Sequence, residues 1–277
     1  YNGYKVYNDN GGQITDEAAA EISANIERVD PFKDVKRMDF DEGLSQGLIE
    51  WTPEEVLDSF IDNVKKVSIP GFKADPSYSV VYTPLNGTGM ECVSRILKEI
   101  GVENVSVVKE QAEPDGNFPT CTYPNPEFRE ALQLALDLAE KVKPSLVVAT
   151  DPDADRMGTA IPHDGEYKLL SGNEMGVLLM NWLAEMAAQN GEDVRRKVAV
   201  TTIVSSTMPD VLARDKGFEL RRVLTGFKYI GDQIDQLKDA GEEDRFLMGF
   251  EESYGYLVGT HARDKDAIVA TMLCVEM

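Results

Sequence analysis

"SLVVATDPDADRMG", residues 145–158, runs from an apolar strand-like segment into aspartates at positions 151, 153 and 155, followed at once by Arg156. Upstream lie a strand "YSVVYT" (78–83), a helix after "NGTG" (86–89), a strand "VSVVKE" (105–110) and a helix "PEFREALQLALDLAEKV" (126–142), so "SLVVAT" (145–150) closes a βαβαβ unit. A second unit follows. A helix starts at Ser171, with Glu174 completing a capping box. Then come a strand "KVAVTTIV" (197–204), a helix near 207–215, a strand "FELRRVL" (218–224), a helix "YIGDQIDQLKDA" (229–240), a strand "RFLMGF" (245–250) and a last helix from about Asp266. Strands alternating with helices predict an α/β fold of two consecutive βαβ-type domains with mixed, mainly parallel sheets. Ligands of such sheets gather where the strands' carboxyl ends meet loops.

The first fifty residues read differently. An alternating, turn-bearing segment, "YNGYKVYNDNGGQI" (1–14), precedes a short helix capped by Thr15 and an irregular acidic stretch over 31–50. Thr52 and Glu55 form a second predicted capping box, with Pro53 at the first helical position. The expected units are therefore a remnant over 1–50 and domains over 51–170 and 171–277.

The 277 residues are 42% hydrophobic and carry a net charge of -21, which would repel a nucleic-acid backbone or an anionic membrane surface. An anionic ligand would need local cations or a metal. Cys92, Cys121 and Cys274 are odd in number and widely spaced, which argues against a disulfide framework or a zinc site and for a reducing cytoplasm.

Period-two spacing in an extended turn points Asp151, Asp153 and Asp155 the same way, and carboxylates that close repel one another unless a cation neutralises them. All-oxygen ligands suit Mg2+, which often completes its shell with a phosphate oxygen, and Arg156 can fork onto the same phosphate. The aspartates could instead simply cap a turn. An EF-hand is excluded, because Arg156 stands where that loop needs glycine and Pro162 where it needs a bidentate glutamate. A phosphatase of the haloacid dehalogenase type would want Thr or Val at position 155, where this chain has Asp.

Other strand-end loops carry complementary chemistry. "GFEESYG" (249–255) offers Glu251 and Ser253 for vicinal hydroxyls, though such residues are commonly plain polar surface. "HARDKDA" (261–267) sets His261, Arg263 and Lys265 at alternate positions, suited to phosphate if they share a side. His261 is the proton-transfer candidate, since His163 lies in the turn-like "PHDGE". In "LTGFKYIG" (224–231), Gly226 frees the backbone to approach a ligand and Lys228 adds charge.

Together with "TPLNGTG" (83–89), these loops resemble, in order and along nearly the whole chain, those of the α-D-phosphohexomutase family of phosphoglucomutases and phosphomannomutases. "DPDADR" is similar to its metal loop, "TGFKYIG" to its sugar-specificity loop, "GFEESYG" to its sugar-binding loop and "HARDKDA" to its His-x-Arg-x-Lys-Asp segment. The resemblance implies that a phosphoserine phosphorylates a sugar monophosphate and takes back the other phosphate from a bisphosphate such as glucose 1,6-bisphosphate. It implies Mg2+ on Asp151, Asp153 and Asp155, catalytic roles for Arg156, His261 and Lys265, and substrate contacts by Thr225, Gly226, Lys228, Glu251, Ser253 and Arg263. Some bacterial phosphomannomutase relatives read Gly-Glu-Met-Ser-Gly-His where this chain has Phe250-Glu251-Glu252-Ser253-Tyr254-Gly255. The Glu-Glu-Ser version resembles phosphoglucomutases and phosphopentomutases more, so glucose phosphate is the expected substrate, with mannose phosphate and pentose phosphate left open by this loop. The family's Thr-Ala-Ser-His-Asn-Pro loop is absent from the 277 residues. The chain is thus expected to be a piece holding the tail of domain 1, domain 2 and domain 3, inactive without domains 1 and 4. A phosphatase or a non-catalytic metal-binding module is the alternative.

Overall fold

The computed structural model describes residues 5–277. Tyr1 to Tyr4 of the strand-like opening lie outside the described residues; the rest forms a tight turn with a single antiparallel bridge, Tyr7 to Gln13. Helix α1 (Asp16–Ile26) follows, with Thr15 at its cap position but making no side-chain cap bond. The stretch expected to be irregular contains a short helix, α2 (Phe40–Ser45), because the Asp39 carboxylate accepts from the backbone N–H groups of Asp41 and Glu42. Helix α3 (Glu54–Lys65) starts one residue later than predicted: Pro53 is extended and occupies the cap position, so Thr52 forms no box with Glu55.

The first domain is a sheet of five strands, β1 (Ser79–Thr83), β2 (Asn104–Val107), β3 (Leu146–Thr150), β4 (Met157–His163) and β5 (Glu166–Leu170). Their order is β2-β1-β3-β4-β5, with β1 parallel to β2 and β3, and β4 antiparallel to both neighbours. Helices α4 (Gly89–Glu99) and α5 (Arg129–Val142) make the crossovers. The β4–β5 hairpin goes beyond the sequence reading, which took "PHDGE" only as a turn. Asp164 and Gly165 have φ of 49° and 87°, the paired left-handed conformation that a two-residue hairpin loop demands.

The second domain repeats the plan. Helix α6 (Gly172–Gln189) begins with the predicted box, in which Glu174 N–H donates to Ser171 Oγ and Ser171 N–H to Glu174 Oε2. Strands β6 (Val198–Thr202), β7 (Glu219–Val223), β8 (Phe246–Phe250) and β9 (Tyr256–Leu257) take the order β7-β6-β8-β9, parallel except for the last. Helices α7 (Met208–Lys216) and α8 (Phe227–Asp239) connect them.

The sequence boundary at 170/171 is not a packing boundary. Helix α9 (Ala267–Glu276) is apolar on every side, buried from Ala267 through Val275, and packs on α3, α4, β3 and β4 of the first domain as well as on β9. One hydrophobic core therefore runs from Val80 and Ile96 through Met272 to Met248 and Phe250. Burial of such a helix, at about 25 cal/mol per Å² of apolar surface, welds the two sheets into one body. Among the described residues no helix is long and apolar enough to cross a membrane.

Candidate active site

In each sheet the third parallel strand ends in a loop that turns back as an antiparallel strand, β3 into β4 and β8 into β9. The aspartate loop and the Glu-Glu-Ser loop are thus topological equivalents. Each is closed by the same kind of bond, Asp151 N–H to Arg156 O at 3.3 Å and Glu251 N–H to Gly255 O at 2.9 Å. The two loops also join each other: Arg156 and Gly255 form an isolated antiparallel bridge, and Met157 N–H donates to Tyr254 O at 3.0 Å.

Asp151, Asp153 and Asp155 each offer an oxygen, all within 4.8 Å of one another. Asp151 is buried and its Oδ1 accepts from the N–H groups of Asp155 and Arg156, whereas Asp153 is exposed. Burial, reinforced by Asp155 and Asp153, pushes the Asp151 carboxyl up to about 8, against the pull of the Arg156 N–H bond. Three hard oxygen donors this close together, one of them buried, fit a hard divalent cation such as Mg2+. The Arg156 guanidinium leans over the loop, with Nε buried and unbonded, 3.8 Å from both Asp151 Oδ2 and Asp155 Oδ1. The "NGTG" stretch is the loop's cradle: Thr88 donates to Pro152 O through both N–H and Oγ1, and the Gly87 backbone lies directly against Pro152.

The raised Asp151 value has a stability consequence. A carboxyl that holds its proton more tightly when folded supports folding fully below the unfolded value of about 3.9, and that support is lost as pH rises through the folded value. In metal-free buffer, Asp151→Asn, which keeps an acceptor at Oδ1, is expected to flatten this slope and be the stabler protein by about 1 kcal/mol or more at about pH 8.5. Urea titrations at about pH 5 and about pH 8.5 measure it; parallel slopes for the two proteins would mean that Asp151 ionises freely.

Glu251 is buried, and its Oε1 accepts from Gly226 N–H at 2.8 Å, so the two sugar loops predicted from sequence meet. Burial raises its carboxyl above the ordinary range, opposed by that N–H and by Lys265. Gly226 caps α8 with φ 122°, a conformation open to glycine. Ser253 is half-buried, Thr225 exposed. Glu252 points away, accepting from Thr202 Oγ1 and Ser205 Oγ, and so anchors the loop to β6. Lys228 is engaged by the N-terminal segment: Asp16 of α1 takes its Nζ at 2.6 Å and the Tyr229 hydroxyl at 3.0 Å.

The three cations of "HARDKDA" do not share a side. The His261 side chain is 7% exposed, with Nε2 2.8 Å from Asp266 Oδ2, while Asp266 Oδ1 caps α9 by accepting from Ile268 and Val269 N–H. Arg263 is 5% exposed and turns toward α8, binding Asp235 through Nε at 2.8 Å, Glu243 at 3.1 Å and Thr260 O at 2.6 Å. Those bonds leave it turned into the fold, not toward a shared phosphate. Lys265 alone reaches the aspartate loop, 3.0 Å from Asp155 Oδ2 and 3.2 Å from Asp264 Oδ1. Burial would pull its ammonium down, but the carboxylates of Asp155 and Asp264 outweigh this and raise it. Adjacent odd positions part company because 261–266 is a winding loop, not the extended strand that would line them up.

Four residues at the site escaped the sequence reading. Glu127 lies 3.8 Å from an Arg156 nitrogen, Lys5 lies 3.9 Å from Asp155 and 3.8 Å from Asp264, Asp264 shares Lys265, and Asp16 holds Lys228. All but Asp264 are far from the motifs in sequence; Asp264 carried a local signal, an acid between two bases.

The family described as phosphoglucomutase/phosphomannomutase matches through two consecutive units, alpha/beta/alpha domain II over residues 58–165 and domain III over residues 171–277. The phosphoglucomutase of Staphylococcus saprophyticus is 38% identical over 277 residues, all of this chain and 49% of that protein. The phosphomannomutase of Mycoplasmoides pirum is 31% identical over 277 residues, again all of this chain and 49% of that protein. The fold is shared with Aspergillus fumigatus N-acetylphosphoglucosamine mutase, solved in complex with GlcNAc-6P and magnesium, at a TM-score of 0.55 and 16% identity, covering 80% of this chain and 50% of that one. The chain spans about half the length of the curated relatives it matches. With both domains matched and both loops in place at their strand ends, the chain belongs to the phosphoglucomutase/phosphomannomutase family.

Proposed function

We propose that this chain supplies the metal- and sugar-binding half of a phosphoglucomutase that interconverts glucose 1-phosphate and glucose 6-phosphate through glucose 1,6-bisphosphate. The observation that carries the reading is the backbone bridge between Arg156 and Gly255, which fixes a metal-type loop against a sugar-type loop. Asp151, Asp153 and Asp155 would hold Mg2+, which when bound neutralises charge developing on a transferring phosphoryl group. Arg156 and Lys265 orient phosphate from either side of that loop. Glu251 spends one oxygen on Gly226 and keeps the other for a sugar hydroxyl, with Ser253 as a second, reversible partner. Thr225 and Lys228, beside Gly226 in the chain, would add further contacts to the sugar phosphate. His261 acts by holding Asp266 and hence the start of α9. The Glu-Glu-Ser loop and the S. saprophyticus relative favour glucose; the M. pirum relative keeps mannose phosphate as the second substrate to assay.

The phosphoserine donor and a further phosphate contact would come from the domains that the longer relatives contain, so binding without turnover is expected of residues 1–277. Free Cys92, Cys121 and Cys274 suit a reducing, cytoplasmic setting, and the acidic surface suits neither nucleic acid nor anionic membrane. Thermal unfolding titrated with glucose 1,6-bisphosphate tests the reading. A saturable stabilisation, about 2.7 kcal/mol at a hundred times Kd, is expected, larger with Mg2+ and weakened by Ser253→Ala. No shift at millimolar ligand, with or without Mg2+, would sink it.

A further inference from the structure

Lys265 does more than border the aspartate loop. Its ammonium lies 3.0 Å from Asp155 Oδ2, on a carboxylate assigned above to the divalent cation, and 3.2 Å from Oδ1 of Asp264, which lies outside that loop. The side chain is 11% exposed. Its stem is fixed: a Cβ at Gly255 would stand 2.2 Å from Lys265 Cδ, so the methylenes lie flat on the backbone that bridges to Arg156. The Phe227 ring flanks the ammonium at 5.6 Å. Asp264 is held in place too, accepting Lys265 N–H at 2.8 Å through that same Oδ1. The ammonium is therefore tethered between two acceptors, and only its last bonds are free to shift from one to the other. An ammonium and a divalent cation on one carboxylate repel strongly at this depth.

We propose that Lys265 is the built-in counter-cation of the aspartate loop: it sits on Asp155 in the metal-free protein, yields that carboxylate to the incoming divalent cation, and retreats to Asp264. This rests on the metal reading above. The arrangement lets the loop keep its fold without metal, sets the cation affinity by competition, and leaves the ammonium beside the cation, free to meet phosphate. Lys5, 3.9 Å and 3.8 Å from the same two carboxylates but 46% exposed, keeps its ammonium in water, where such a pair is worth little, and serves as the control for a general field effect. Glu251, whose carboxylate also feels the ammonium, stays in place in every variant.

Mn2+ titration of the full chain by calorimetry, using no sugar, tests the exchange. Lys265→Met is expected to bind Mn2+ at least about fivefold more tightly than the wild type, and Lys5→Met to change affinity less than about twofold. Asp264→Asn, which removes the charged second seat, should weaken Mn2+ at least about threefold in the wild type but not in the Lys265→Met background. Unchanged or weaker binding by folded Lys265→Met overturns the counter-cation role while the metal reading stands. If Lys265→Met fails to fold, unchanged affinity of Asp264→Asn overturns it alone. If neither the wild type nor Lys265→Met binds Mn2+, the metal reading itself fails and this inference with it.

Discussion

Gly87→Ala is expected to destabilise the chain by roughly 3 kcal/mol and to weaken divalent-cation binding at the aspartate loop at least tenfold. A Cβ at this position would stand 2.2 Å from Pro152 Cα and 2.5 Å from Pro152 O, both backbone atoms that no rotamer change can clear. Pro152 cannot easily retreat. Thr88 N–H is bonded to its carbonyl at 2.9 Å, Ala267 N–H to the carbonyl of Ala154 at 3.1 Å, and Met157 N–H ties the loop's exit to Tyr254. Ala154 itself is held at φ 55°, so the loop has little slack to absorb a push. Relief must come from displacing Asp151 and Asp153 relative to Asp155, which spoils a shared cation site. Urea denaturation and Mn2+ titration measure the two effects. Gly116→Ala, where an added Cβ meets nothing within 4 Å, is the comparison and should be near neutral. Wild-type stability and cation affinity in Gly87→Ala would mean that Gly87 and Pro152 are packed loosely enough to admit a methyl group.

Arg263→Ala is expected to cost about 3 kcal/mol of stability while leaving the affinity for glucose 1,6-bisphosphate, measured well below the melting temperature, within about threefold of wild type. The guanidinium is 5% exposed and serves Asp235, Glu243 and the Thr260 carbonyl, so its loss strands a largely buried carboxylate, Asp235, and an unpaired carbonyl. Denaturation and ligand titration of the same variant separate the two roles. The opposite result, full stability with ligand affinity lost, would return Arg263 to the phosphate-binding part that its motif implies.

The contrast between Arg263 and Lys265, two residues apart, marks the line between what is local and what is not. Sequence alone determined the order of the parallel strands and of the helices between them, since hydrophobic periodicity and caps such as Ser171 with Glu174 are settled within a few residues of the chain. It also determined which loops hold ligand-type chemistry, because three carboxylates at alternate positions after a buried strand carry their meaning in their spacing. Where the local signal was weaker, the reading slipped: Thr52 lost its cap to an extended Pro53, and the Asp164-Gly165 turn hid two strands.

Only the tertiary structure decided partners. It paired the aspartate loop with the Glu-Glu-Ser loop across about a hundred residues, brought Lys5 and Asp16 from the N-terminal segment to Asp155 and Lys228, and put α9 of the second domain into the core of the first. It also sent His261 and Arg263 into the fold and left Lys265, of these three, on the aspartate loop. A side chain's direction and its counter-ion depend on where distant segments come to rest, and the energy of a buried charge depends on that partner, whereas periodicity and spacing describe only its neighbours along the chain.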